Sequence, residues 1–209
     1  MKTKLSRKRA ISTVLTTVII LVASVVLGSG VVLYGTSLFQ GSVQIEQISV
    51  SGVKMWVHPS TPEGLAWGAA DVRNSGDKVI SINKIEVRGT NIPFNQWYPD
   101  TTVTTSLFQQ TLNHSGWSGT AGLLVQDADG CSGETLQIEL SSSTTDDMCA
   151  NTATGPVSLL PGQSAIIYFK LINGTIISLD SGVNTSVGIF AGISGAPQSV
   201  TIQAITYQP

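Results

Sequence analysis

Hydrophobic and polar positions divide the chain into two stretches with different periods. From Ile11 to Phe39 an apolar run rich in Ile, Val, Leu, Gly, Ser and Thr carries no charge; Arg9 is the last charged residue before it and Glu46 the next after it. This exceeds the roughly 20 residues that cross a bilayer as a helix. It also exceeds the roughly 7–15 apolar residues of an ordinary secretory signal peptide. A helix over Ile11–Phe39 is about 43 Å long at 1.5 Å per residue. It is apolar around most of its circumference, so it needs burial on every side. Gly28, Ser29, Gly30 and Gly35 give it a small-residue patch, of the kind that lets packed helices approach closely. Glycines are also a normal feature of a simple membrane anchor.

After Gln40 the period becomes two. Gly41 and Ser42 form a junction. Val43-Gln44-Ile45 and Ile48-Ser49-Val50 alternate, with a slip between them that predicts a bulge or a break, and Val53-Lys54-Met55-Trp56-Val57 alternates again. Such alternation, rich in β-branched and aromatic residues, predicts half-buried strands. His58 to Gly64 is a loop because Pro59 and Pro62 exclude a continuous ladder. Leu65–Arg73, the turn Asn74-Ser75-Gly76-Asp77 and Lys78–Arg88 predict a hairpin. Gly89–Asp100 reads as a loop broken by Pro93 and Pro99. Strands are expected over Thr101–Leu112, Thr120–Gln126 and Thr135–Leu140, then a polar excursion over Ser141–Pro156. Pro161-Gly162-Gln163 introduces Ser164–Ile172, in which Ala165, Ile167, Phe169 and Leu171 share a face. Ser186–Ala191 and Gln198–Tyr207 complete the set. Short strands at roughly 10-residue spacing without a second helix predict a β-sandwich.

Charge orients this arrangement. Lys2, Lys4, Arg7, Lys8 and Arg9 are five of the eleven basic residues. By the positive-inside rule they stay cytoplasmic and everything after Phe39 lies outside. Without the first ten residues, six basic residues stand against thirteen acidic ones, a formal charge of −7. An acidic exterior argues against nucleic-acid binding, which needs clustered Lys and Arg. About 165 residues follow the helix, enough for one domain with a real core.

The leader carries a family resemblance. Lys8-Arg9-Ala10 followed by Ile11-Ser12-Thr13-Val14-Leu15-Thr16-Thr17-Val18 resembles the start of archaeal type IV pilin-like proteins, which include archaellins and adhesive pilins. It is most similar to the archaellin-type segment of ammonia-oxidising archaea, over about Arg7 to Gln40. Val-Arg-Asn-Ser-Gly-Asp and the Leu-Pro-Gly before a strand resemble patterns of the outer domains, which implies an immunoglobulin-like sandwich. The resemblance implies cleavage between Ala10 and Ile11 by a prepilin-type membrane peptidase. It implies an assembly ATPase, a membrane platform and a homo-oligomeric filament. Residues 1–10 are then a leader, 11–40 the assembly or transmembrane helix, and 41–209 an extracellular domain, an α+β chain overall. Bacterial pilins carry glutamate at the fifth mature position, where this chain has Leu15, so their assembly chemistry does not transfer.

Candidate chemistry is sparse. Cys131 and Cys149 are the only two cysteines, and outside the cell a disulfide between them is expected. Asn113-His114-Ser115, Asn173-Gly174-Thr175 and Asn184-Thr185-Ser186 are glycosylation sequons. Asp127-Ala128-Asp129-Gly130 with Glu134 has some oxygen ligands of a calcium loop but not its full spacing. A solvated acidic turn is the better reading of those residues, and no metal or cofactor is expected. His58 and His114 have no recognisable nucleophile or orienting carboxylate nearby, so no catalytic residue and no enzyme is expected. Trp56 and Trp67 are expected in the core; Trp97 and Trp117 suit either core or a contact surface. The reading is a structural filament subunit of the archaellin type, held in the cytoplasmic membrane as precursor and extracellular once assembled. An adhesive pilin is the alternative within the superfamily. A single-pass membrane protein whose β-domain binds a surface ligand is the alternative of another class.

Overall fold

The computed structural model describes residues 4–42, 46–60, 64–102, 112, 114, 117–118, 123–124, 136–139 and 147–205. The chain divides into two compact units, Met1–Gln44 and Ile45–Pro209. The first is a single helix, α1 (Lys4–Ser42). It begins inside the basic leader and runs two residues past the expected end at Gln40. The second is a β-sheet domain, so the chain is α+β.

The strands are β1 (Ile48–Val57), β2 (Ala66–Asn74), β3 (Ile80–Val87), β4 (Thr90–Ile92), β5 (Trp97–Asp100), β6 (Trp117–Ser118), β7 (Leu123–Leu124), β8 (Leu136–Glu139), β9 (Asp147–Ala150), β10 (Val157–Leu159), β11 (Ser164–Lys170), β12 (Asn184–Ala191) and β13 (Ser194–Ala204). Nine of them form one sheet in the order β10-β3-β12-β13-β1-β2-β11-β5, with β4 beside β3. Strand β13 joins its two halves. It pairs antiparallel with β12 from Asn184↔Thr201 to Ala191↔Ser194. Its last residues then run parallel to β1, from Met55↔Ile202 to Val57↔Ala204. Beyond the far edge, Ala153 N–H donates to the Trp97 carbonyl at 2.8 Å, so the sheet comes close to closing on itself. Strand β1 has a register shift between Val50 and Gly52 that the alternation did not indicate; the slip expected between Ile45 and Ile48 falls before β1, partly outside the described residues.

Both faces of the central strands are buried. One core contains Met55, Val57, Ala70, Val72, Ile82, Ile85, Ile167, Phe169, Val187 and Ile189. The second lies on the opposite parity of β1, β2, β11 and β5, with Trp56, Trp67, Ala69, Tyr98, Ile166 and Tyr168. Leu112, Leu136, Ile138, Met148 and Ala150 complete it. The last four come from alternate positions of β8 and β9, which pair antiparallel with Ile138 opposite Met148. Gly68 permits the first core. A Cβ there would overlap the Phe169 ring and crowd the Met55 sulfur at 2.6 Å.

Three expectations change. Strands β2 and β3 are not a hairpin: β2 pairs with β1 and β11, while β3 pairs with β4, β10 and β12. The Asn74–Val79 turn therefore passes from one half of the sheet to the other. The segment Gly89–Asp100 contains strands β4 and β5. Pro99 fits β5 because β5 ends the strand order, and an edge strand does not need every N–H. The polar excursion over Ser141–Pro156 contains β9, whose Met148 and Ala150 are buried. Most of the strand expected over Thr101–Leu112 lies outside the described residues.

Candidate assembly helix

Helix α1 contains a 26-residue apolar stretch, Thr13–Leu38, long and apolar enough to cross a membrane or to act as a signal sequence. None of its most apolar window is buried within the chain. Leu27 is 69% exposed, Val31 72% and Leu33 70%. In water this surface would oppose solubility; in lipid or among like helices it is the favourable surface.

The polar groups along the helix suit such burial. Thr17 Oγ1 donates to the Val14 carbonyl at 2.8 Å, and Ser24 Oγ to that of Leu21 at 2.8 Å. Ser29 Oγ donates to the Val26 carbonyl at 3.0 Å and Thr36 Oγ1 to that of Leu33 at 3.0 Å. Hydroxyls bonded to carbonyls within their own helix can leave water without losing a partner. A Cβ at Gly28, Gly30 or Gly35 would meet nothing within 4 Å, so no contact inside the chain requires glycine there.

The three glycines occupy two faces rather than one patch. At about 100° per residue, Gly28 and Gly35 lie roughly 20° apart, and Gly30 lies about 160° from Gly28. Gly30 shares its side of the helix with Thr16, Ala23 and Ser37, all at seven-residue steps. Small residues thus face two directions, as a helix packed between neighbours on several sides would use them. The expected cleavage site, Lys8-Arg9-Ala10-Ile11, is helical.

The other candidate residues do not converge on a centre. Asn173 is exposed in the turn after β11. Asn184 is exposed at the start of β12, where its Oδ1 accepts from Thr201 Oγ1 at 2.7 Å. Asn113, Cys131, Asp127, Asp129 and Glu134 lie outside the described residues. Cys149 pairs in register with Gln137 on β8, and the disulfide expected between it and Cys131 lies outside the described residues. His58 Nδ1 accepts from Ser60 N–H at 3.2 Å in its loop. His114 packs edge-on against Trp56, with ring centroids 5.2 Å apart. Burial lowers its pKa from 6.5 to about 4. Trp56, Trp67 and Trp97 are all core residues. Trp97 Nε1 donates to the Ile92 carbonyl at 3.0 Å, which settles its position inside. The side chain of Trp117 is outside the described residues.

Two residues that the sequence did not single out as sites carry the strongest polar features. Asn74 is fully buried and bonded on both ends of its amide. Asp71 is 5% exposed, and burial raises its pKa from 3.8 to about 7, with Lys54 pulling the other way. The signal for Asp71 was its place inside the apolar run Ala69-Ala70-Asp71-Val72. A polar groove of about 470 Å³ lies between Pro99–Thr102 and Asn151–Val157, with Asp100 in its lining. Among the described residues no group of His, Cys, Asp and Glu could hold a metal. No protein-family model matches the chain, and no curated protein matches it.

Proposed function

We propose that this chain is the structural subunit of an extracellular filament of the archaellin type. The membrane holds the precursor through α1. Removal of residues 1–10 by a prepilin-type peptidase deletes all five leader charges, and an ATPase-driven platform moves the helix into a growing bundle of copies. Carrying this reading is one observation: a continuous apolar helix with its large side chains exposed, in which the hydroxyls of Thr17, Ser24, Ser29 and Thr36 are bonded internally and the glycines face open space. Lipid covers that surface for a single copy, and neighbouring helices cover it in a filament. The two sheet halves enclosing the first core support an immunoglobulin-like description of the outer domain. An adhesive pilin from the same superfamily uses the same helix and remains the alternative within it. The groove at Asp100 and Asn151 favours the second class, a membrane-anchored domain that binds a surface ligand.

The test separates membranes from sheared surface filaments and measures the intact mass of the chain in each. A filament fraction containing subunits that begin at Ile11 is the expected result. Surface protein that retains Met1 and never appears in a sheared fraction would overturn the proposal in favour of the anchor.

A further inference from the structure

Asp71 stands on β2 at the same parity as Trp67 and Ala69, on the side of the second core. In register it lies between Gly52 of β1 and Ile166 of β11. Gly52 has no side chain, and a Cβ there would come to 3.3 Å from Asp71 Oδ2. The carboxyl therefore occupies the space that a side chain on β1 would fill. Among the described residues Asp71 Oδ1 has no hydrogen-bond partner, and neither the Lys84–Glu86 nor the Arg88–Asp180 pair involves it. An ionised carboxylate is strongly disfavoured in such a place, and a neutral acid far less so.

Among the described residues the charged neighbours are few. Lys54 follows Gly52 at the same parity of β1 and favours the carboxylate. Arg73 is the next residue of that parity on β2 and is exposed. Asp100 of β5 lies beyond Ile166 in the same register row. From the covering layer comes His114, beside Trp56. Strands β8 and β9 contribute Leu136, Ile138, Met148 and Ala150, all apolar. Nothing described there offers the carboxylate a replacement for water.

We propose that Asp71 is a protonation switch for the layer over the second core: as a neutral acid it lets that layer close, and as a carboxylate it loosens it. The switch does not depend on the filament reading. It couples proton loss at one residue to water entry beside Trp56 and Trp67. All four tryptophans lie in the β-domain, so fluorescence of the full chain reports on this domain without interference from α1.

The experiment uses the full chain in detergent micelles, titrated from about pH 5 to 9. Tryptophan emission and amide exchange of β2, β8 and β9 are followed together. The expected result is a reversible red shift with faster exchange, its midpoint at about 7. Asp71→Asn removes the transition. Lys54→Met moves the midpoint upward, since the charge favouring the carboxylate is gone. A transition that persists unchanged in Asp71→Asn overturns the proposal, as does a wild-type chain with no transition. If Asp71→Asn fails to fold, an unmoved midpoint in Lys54→Met overturns it equally.

Discussion

The side-chain amide of Asn74 donates to the Leu159 carbonyl at 3.0 Å, joining residues 85 apart in sequence. The same Nδ2 donates to the Lys78 carbonyl at 2.6 Å, and Oδ1 accepts from Gly76 N–H at 3.0 Å. Asn74 N–H donates to the Gln163 carbonyl, and Gly162 N–H to that of Asn74, each at 2.9 Å. Both turns, Asn74–Val79 and Leu160–Gln163, carry the chain between the two halves of the sheet. One buried amide therefore clips two crossings together.

Asn74→Ala removes three side-chain bonds and leaves the Leu159 and Lys78 carbonyls without that donor. A buried group left unsatisfied costs about 1–3 kcal/mol, so a loss of roughly 2–4 kcal/mol is expected. Chemical unfolding of the full chain in detergent, followed by tryptophan fluorescence, measures it. A loss below about 1 kcal/mol would show that the clip is dispensable.

Substitutions in α1 should divide by face. Gly28→Leu and Gly35→Leu obstruct one side, and Gly30→Leu the other. Leucine raises the apolarity of the span, so membrane insertion is retained. Overpacking a close helix contact costs about 1–3 kcal/mol, repeated at every subunit. Filament yield in the sheared fraction should fall for either face while the processed subunit accumulates in the membrane. Full yield from all three variants would remove the glycines from assembly.

Arg88 has φ 52, the one non-glycine residue with positive φ among those described. Its guanidinium bonds the Asp180 carboxylate at 2.9 and 3.0 Å, and Asp180 Oδ2 also accepts from Ile177 N–H at 2.9 Å. Arg88→Ala loses the pair and keeps the left-handed backbone; Arg88→Gly loses the pair and removes the strain. An exposed pair contributes up to about 1 kcal/mol, and a left-handed non-glycine costs about 1–2 kcal/mol. Arg88→Gly should therefore be nearly neutral, and Arg88→Ala less stable than Arg88→Gly. The hydrogen bond from Arg88 holds Asp180 below its usual carboxylate range. The contribution of the pair is thus present above that range and disappears as pH falls through the lowered pKa. Melting temperatures of both variants at neutral and acidic pH check the order.

His114 and Asp71 should impose opposite slopes on stability. His114, lowered from 6.5 to about 4, is neutral in the fold; unfolding lets it bind a proton between those values, so its contribution rises with pH there. Asp71, raised from 3.8 to about 7, binds its proton more tightly in the fold, so its contribution falls as pH rises across that interval. Between about pH 4 and 6.5 the two oppose each other. Asp71→Asn should expose a rising profile and His114→Phe a falling one. Equal slopes in both variants would disprove the opposition. Urea midpoints at half-unit pH steps suffice.

The sequence by itself determined the helix, because a long uncharged run can satisfy its backbone only within itself once water is removed. It also determined that Ala165, Ile167, Phe169 and Leu171 share a core face and that Trp56 and Trp67 are core residues, because period-two alternation depends on the nearest neighbours along the strand; the burial of Ile166 and Tyr168 on the opposite face did not follow from it. It indicated a chain reversal at Asn74-Ser75-Gly76-Asp77, since Asn, Gly and Asp tolerate the required angles. Tertiary structure alone decided that β2 and β3 lie in different halves of the sheet. Turn residues specify that the chain bends, whereas strand partners are chosen by surfaces distant in sequence. The split of β13 between two partners, the place of β5 at an edge, and the burial of Asp71 between Gly52 and Ile166 depend on those same distant surfaces. The glycines divide in the same way: the sequence supplies them, and the turn of a continuous helix sends Gly30 away from Gly28 and Gly35.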